Sequence, residues 1–518
     1  MRETREDEKV DLERQAVQLQ PSKSPSEATK SDDTKPYNNH VDPGPLDSSK
    51  DEKEKFLARL EPSDDPKRFS SWYKAWICCQ LGLLSVTASM GSSIISPAES
   101  VLSTYLGISL EATVLTVSLF VLGFALGPIC WGPISEVYGR RWSLLPPMFL
   151  VGVFSIASAV SKDTASLLVT RFFAGMFGSS PIANVSAALG DFYEPKLRGV
   201  PMAFLAACVV GGALIAPIIG AGITVNSHLG WRWTEYMEAI ISFSTFAVTL
   251  IFMPETYPPV LLKRKAKQLR KNTGDERYWH PHEKQKISVQ NVLTKHFNRP
   301  ILMLLTEPMV TCMALYASFV YGLLFFTLES FPIVFAELRH WELVPSTLPF
   351  LGLFIGVIIA IVINIGNQPR YIRAVEKNEG RAVPEARLAP MVIGGFCFSG
   401  GLFWFGWTAD PSIPWIVPVI ASAFIGAGFN IIFQQALNYL VDAYSLYAAS
   451  ALSANAVLRS AMACGLPLAA RPLFNNLGVG PGASVLGGIS CLALPIPFLF
   501  MRYTTALRKK SKFAPPQN

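Results

Sequence analysis

WGPISEVYGRRWSL, residues 131–144, lies between two long apolar runs, and its reading decides the fold. Gly132 and Gly139 frame one acid, Glu136, followed by two adjacent bases, Arg140 and Arg141. Ionised side chains are costly in hydrocarbon, so a short charged stretch between greasy segments marks the reversal from one membrane span to the next. The glycines permit a tight turn and close approach of the flanking helices. The arginine pair holds that end at one face of the bilayer.

Composition supports this reading over the whole chain. Of 518 residues, 50% are hydrophobic and only 16% charged, too few charges for the surface of a soluble protein of this length. The charges crowd into the first seventy residues, a central segment, one later loop and the tail. Between them lie apolar runs of about twenty residues, the length a helix needs to cross roughly 30 Å of hydrocarbon. The pattern predicts an all-α polytopic membrane protein with about twelve spans. Six are expected near 72–96, 112–131, 142–161, 164–190, 200–224 and 236–253. Six more are expected near 301–333, 345–365, 389–408, 413–438, 449–470 and 484–503.

The resulting organisation is a disordered arm (1–70), a six-helix bundle (71–253), a basic central loop (254–300), a second six-helix bundle (301–503) and a basic tail (504–518). The arm is rich in Lys, Glu, Asp, Ser and Pro, and such a composition buries too little surface to offset ordering entropy. Lys and Arg counts orient the chain. With both termini cytoplasmic, the inner loops hold Arg140, Arg141, Lys196, Arg198, the run KRKAKQLRK (263–271), Arg370, Arg373, Lys377, Arg381 and Arg387, plus the tail from Arg508. The outer loops keep only Lys162, Arg232, Arg339 and Arg471. This inward bias accounts for the basic loop, so nucleic acid is not called for as a partner.

The eight cysteines fall within or beside apolar runs and read as packing residues; neither a disulfide framework nor a metal site is expected. His280 and His282 read as solvated loop residues. No GxxxxGK[ST] phosphate loop is present, so ATP is not expected to power the protein, and no cofactor is implied.

Ionisable groups inside spans are the functional candidates. Arg171 lies within the fourth span and Arg459 within the eleventh; Glu307 and Glu329 bracket the seventh. A carboxyl in an apolar setting is able to exchange a proton near neutral pH, and a buried arginine tunes a nearby carboxylate. Arg171, Glu329 and Arg459 are therefore the proton-coupling candidates. Arg171 and Asp191 lie about 30 Å apart along one helix, so they cannot pair. Asn430, Gln434 and Asn438 recur every fourth residue on one face of the tenth span, and Asn455 lies one turn before Arg459. These four are candidates for a substrate cavity, although a polar stripe also joins helices through bonds of about 1 kcal/mol each. Most aromatics in ALYASFVYGLLFF (314–326) are expected to face lipid.

Several stretches resemble the major facilitator superfamily, over almost everything after residue 66. GPISEVYGRR (132–141) looks like that family's loop signature, with Gly132, Glu136, Gly139, Arg140 and Arg141 in place and Val137 where a base is usual. RFFAGMFGSSPIANVSAALGDFYEP (171–195) resembles the helix 4 motif, whose arginine falls on Arg171. GALIAPIIGA (212–221) resembles the helix 5 antiporter motif, keeping Gly212, Pro217 and Gly220 but with Ala216 and Ala221 for glycines. GWRWTEYM (230–237), PETYPPVLLKRKAKQLRK (254–271), VPEARLAPM (383–391) and NYLVDAY (438–444) point to the fungal twelve-span drug:H⁺ antiporter group. GNQPRYIR (366–373) lacks the acid that a second copy of the loop signature needs.

The resemblance implies two six-helix bundles that rock about a central cavity, with proton influx driving substrate out. It implies a monomeric plasma-membrane efflux pump, not an enzyme, exporting amphiphilic organic compounds such as secondary metabolites or xenobiotics. Its partners would be a small-molecule substrate, protons and the lipid bilayer. Gly132, Glu136, Gly139, Arg140, Arg141 and Asp191 would form a conformational latch. Two other readings remain open. Export of polyamines or other organic cations would need more cavity carboxylates. A non-transporting membrane sensor would need no titratable cavity residues.

Overall fold

A computed structural model describes residues 56–513 apart from 63, 195–196, 285–296, 379–382, 445–446 and 512. Expectations for residues 1–55, Lys196, Arg381 and the end of the tail fall outside the described residues. Among those described, the chain is helical, and the only β pairing is an isolated bridge between Leu57 and Trp279.

Among the described residues, eleven helices are long and apolar enough to cross a membrane: Ser71–Leu106, Leu110–Tyr138, Arg140–Val160, Thr164–Phe192, Gly199–Val225, Arg232–Phe252, Pro308–Leu338, Leu343–Lys377, Pro384–Trp407, Ile416–Tyr444 and Val479–Tyr503. The first six are the first to sixth spans, the next four the seventh to tenth, and Val479–Tyr503 the twelfth. The segment expected as the eleventh forms a shorter helix, Ala448–Gly465, continued by a 3-10 turn and Ala470–Leu477. Asn455 and Arg459 make it the most polar of the set. Leu492, Val362, Ile251 and Phe396 are among many large apolar side chains left exposed, as a lipid-facing surface requires.

Local chemistry sets the ends. Ser70 caps the first span by accepting from the Tyr73 N–H at 3.3 Å, and Asp163 caps the fourth by accepting from the Ser166 N–H at 2.8 Å. Gly139, at φ 99° and ψ 173°, separates the second and third spans in a backbone conformation that a side chain would strain. The seventh span starts later than the sequence suggests. A short helix, Arg299–Thr306, comes first, then Glu307 takes an extended conformation with Pro308 beginning the span.

Two other expectations are revised. Residues 56–58 pack against the central loop, because Phe56 and Leu57 find aromatic partners there: the Phe56 ring meets Tyr278 edge-on at 5.5 Å, and the Ala58 N–H donates to the Trp279 carbonyl at 3.1 Å. Lys265, on the surface helix Pro258–Thr273, adds ion pairs to Glu61 and Asp64 at 2.7 and 3.1 Å. Four of the five aromatics of 314–326, Tyr316, Tyr321, Phe325 and Phe326, are buried in the core rather than turned to lipid, while Phe319 is half-buried.

Small residues let the spans approach closely. A Cβ on Gly212 would lie 2.6 Å from the Val86 carbonyl oxygen, and one on Gly220 would lie 2.0 Å from that of Ile94, so the fifth span rests on the backbone of the first. Between the halves, the fifth span packs along the eighth and the second along the eleventh. One of the tightest crossings offers a stability test. A Cβ on Gly175 would sit 1.9 Å from the Phe120 carbonyl oxygen, so Gly175→Ala is expected to cost about 1–3 kcal/mol. Thermal unfolding of the purified protein in detergent should show a clearly lower midpoint for this variant and no change for Gly222→Ala, which meets open space.

Candidate functional site

Arg171 is the largest fully buried side chain in the protein. About two turns into the fourth span, it reaches three neighbouring helices. Its Nε donates to the Thr116 carbonyl at 3.0 Å and one terminal nitrogen to the Gly91 carbonyl at 2.7 Å. The other terminal nitrogen meets Glu235 Oε1 at 3.1 Å, and the guanidinium lies 4.5 Å from the Phe120 ring centre. Glu238, one turn after Glu235 on the sixth span, is also fully buried. Its Oε1 accepts from Ser242 Oγ at 3.3 Å while Oε2 has no partner among the described residues. Two carboxyls lie beside one guanidinium, and that excess negative charge in a fully buried setting is one that a single proton cancels.

A second cluster lies at the Gly139 end. The extended Gly139 aims the Arg140 and Arg141 N–H groups at the Glu255 carboxylate, 2.9 and 3.2 Å away. The start of the third span, with its free N–H groups and positive dipole end, thus binds an anion. The Arg140 side chain turns to Asp191 at the end of the fourth span, with Nε 2.7 Å from Oδ2, and lies over the Tyr257 ring at 4.6 Å. Glu136 faces solvent with no hydrogen bond or ion pair among the described residues. Of the residues expected to form the latch, Glu136 therefore takes no arginine: Glu255 and Asp191 do, because the Gly139 turn presents the Arg140 backbone to one and its side chain to the other.

The second half carries a matching arrangement that GNQPRYIR concealed. Arg387, in the first turn of the ninth span, donates to Asp442 Oδ2 at 3.1 Å and stacks 3.4 Å over Tyr371, whose hydroxyl donates to the same oxygen at 2.8 Å. Asp442 ends the tenth span as Asp191 ends the fourth. The acid is supplied from another helix rather than from the loop itself, so a local motif search misses it.

The other candidates divide. Arg459 lies over the rings of Tyr321 and Phe433, at 4.7 and 5.5 Å from their centres, and Phe433 stacks on Phe429 at 5.8 Å. Asn430 and Asn455 are buried, with both amide atoms of Asn430 and Oδ1 of Asn455 unpaired among the described residues. Gln434 turns to the eighth span, accepting from Asn364 Nδ2 at 3.2 Å, while Gln435 donates to Asn364 Oδ1 at 2.8 Å. Those two join helices. Asn438 is half-buried, Glu307 accepts from the Tyr444 hydroxyl at 3.0 Å, and Glu329 is buried near Arg471, 3.8 Å away. His282 is buried and meets the Tyr257 ring at 5.9 Å, rather than being solvated.

A family model described as Major Facilitator Superfamily matches residues 81–467. The chain belongs to the major facilitator superfamily. It is 40% identical over 453 residues to a multidrug transporter of that superfamily from Candida albicans, FLU1, covering 87% of this chain and 74% of the relative. It is 39% identical over 465 residues to the citrinin biosynthesis cluster transporter mrr1 of Monascus ruber, covering 89% and 93%. With the efflux pump bik6 of Gibberella fujikuroi the identity is 38% over 453 residues, covering 87% and 93%. The fold matches a solved structure of the xylose transporter XylE from E. coli at a TM-score of 0.60, with 17% identity over 84% of this chain and 98% of the other. The chain is thus a multi-pass membrane transporter of small molecules and not an enzyme.

Within this major facilitator fold, sequence reading passed over Glu235, Glu238 and Glu255. Glu235 and Glu255 lie in quoted stretches and Glu238 lies one residue beyond the first of them, but all three sit at the edges of apolar runs, where a carboxylate reads as wet. The missing signal was spacing: Glu235 and Glu238 fall three apart, on the helix face that also carries Ser242 and Thr245.

Proposed function

We propose that this transporter is a proton-coupled exporter of amphiphilic aromatic compounds, secondary metabolites or xenobiotics, working by alternating access from the plasma membrane with both termini cytoplasmic. The observation that carries the coupling is the buried pairing of Arg171 with Glu235 at 3.1 Å beside a second buried carboxyl, Glu238. Arg171 neutralises one carboxylate, and the other takes and gives up the proton. Relatives named for multidrug and citrinin-cluster transport support the substrate class.

The second half supports an aromatic rather than a polycationic substrate. Arg459 places a fixed positive charge over Tyr321 and Phe433, in a span that also carries Asn455, whose Oδ1 has no partner among the described residues, as neither amide atom of Asn430 has. That site suits a ring with neutral or anionic polar groups, and it repels a polyamine. The test is reconstitution in liposomes under an imposed pH gradient, with aromatic and cationic compounds offered side by side. Gradient-driven accumulation of aromatic compounds, abolished by a protonophore, supports the reading; accumulation indifferent to the gradient contradicts it.

Arg140–Asp191–Glu255 and Arg387–Asp442 act in this scheme as latches at the cytoplasmic end of each half. They tie helix ends together without touching the Arg459 site. Arg140→Ala is expected to slow transport by roughly tenfold, the effect of a bias of about 1.4 kcal/mol on the rocking equilibrium, with the order of preferred substrates unchanged. Initial rates for a substrate panel check this. A reordered panel would move Arg140 from gating to recognition. Glu136→Gln should transport at close to the wild-type rate.

A further inference from the structure

At the end of the second half opposite the Arg387 latch, a cavity of about 460 Å³ lies where the seventh-to-eighth and ninth-to-tenth connections meet. Trp341 and Trp415 line it with ring centres 6.0 Å apart, together with His340, Glu342 and the apolar Leu348 and Val419. Arg339 holds these walls in place. Its guanidinium donates to the carbonyls of Thr408, Ala409, Asp410 and Ile413 at 2.8 to 3.2 Å, so each connection presents one tryptophan to the same space. His340 turns the chain at φ 56°, the only positive φ on a non-glycine residue among those described. The charges nearby are otherwise committed: Arg339 to carbonyls, Glu337 to Arg471 at 2.8 Å, and Asp410 to the Ser412 N–H at 2.8 Å. The Glu342 carboxylate alone has no hydrogen bond or ion pair among the described residues. A free carboxylate beside two indole rings attracts a cation. The apolar remainder of the wall has no side-chain acceptors, so an ammonium with several N–H groups would leave donors unpaired, whereas a quaternary ammonium has none to satisfy.

The surface below the cavity says where such a cation comes from. Leu348, on the cavity wall, begins a row of exposed apolar side chains that continues through Leu351, Ile355, Ile359 and Val362 on one face of the eighth span. The row is about 21 Å long at 1.5 Å per residue, enough to follow an acyl chain through one leaflet, half of roughly 30 Å of hydrocarbon. Ile416, Ile420 and Phe424 make a second exposed row on the tenth span, which packs along the eighth. We propose that the cavity binds the quaternary ammonium of a choline lipid, whose chains lie along these two rows. In the orientation proposed above the lipid belongs to the outer leaflet, at the depth where tryptophans gather at a membrane surface. The site shares no residue with the Arg171 cluster or with the Arg459 site.

The test is native mass spectrometry of the delipidated full chain in detergent, offered equal amounts of dioleoyl phosphatidylcholine and dioleoyl phosphatidylethanolamine. The chains are identical, so any preference reports the head. The wild type should retain the choline lipid over the other by about fivefold or more. Trp415→Leu and Glu342→Gln should bring the ratio close to one, while Trp415→Phe, which keeps an aromatic face, should preserve most of it. Trp415 and Glu342 are both exposed, so all three variants should unfold at midpoints close to the wild type. No preference in the wild type, or a preference unchanged in Trp415→Leu and Glu342→Gln, would overturn the proposal. Tetramethylammonium, which has the head without the chains, should displace the lipid only in large excess. Displacement at a concentration matching the lipid would assign the cavity to soluble quaternary amines and overturn the lipid as its occupant. Retention is read without transport, so its outcome is separate from that of the proton coupling.

Discussion

Glu238→Gln is expected to abolish uphill transport while leaving the folded protein and downhill substrate movement intact. The amide keeps the size of the side chain and its contact with Ser242 Oγ, 3.3 Å away in the wild type. It cannot take up and release a proton. With Glu238 neutral at every step, Glu235 and Arg171 form a closed pair at 3.1 Å, and no group in that cluster changes charge during the cycle. Accumulation against a gradient should fall below roughly a tenth of the wild-type level, a coupling deficit of at least about 1.4 kcal/mol. Uptake by counterflow, which needs only alternating access, should persist. Full accumulation by this variant would remove Glu238 from the mechanism.

Arg171→Ala is expected to damage the protein itself. The side chain ties the Glu235 carboxylate to the Thr116 and Gly91 carbonyls, joining four spans through one group. Its loss leaves a carboxylate without a counter-charge and carbonyls without donors, a penalty of about 3–5 kcal/mol for a broken buried pair. Thermal unfolding in detergent should show a large drop in midpoint and a lower yield of monodisperse protein. Removing the stranded charge as well, in Arg171→Ala with Glu235→Ala, should recover part of the loss. Arg171→Lys keeps the charge but loses the planar fork, so it should fall between the two.

Much of this was legible in the sequence because it depends on length and periodicity. Apolar runs of bilayer length, Gly139 before Arg140, and small residues at Gly212 and Gly220 each act through local rules. The site was harder to read because its partners come from distant helices. Arg171 pairs with a residue 64 positions away and Arg140 with one 51 away. Nothing in a one-dimensional pattern says that Glu255 will meet a helix N-terminus, or that Gln434 will turn to Asn364 instead of a cavity. The aromatics of 314–326 misled for a related reason. A greasy helix looks the same whether it faces lipid or other helices, and only packing settles which.

The central claim is that substrate and proton move through one coupled cycle. The most direct measurement imposes only a substrate gradient on proteoliposomes, with equal pH on both sides, and follows internal pH with a trapped dye. Exchange of substrate for protons should then shift internal pH in step with substrate flux in the wild type, with no shift for Glu238→Gln despite continued substrate movement. Substrate flux through the wild-type protein with a constant internal pH would contradict the account.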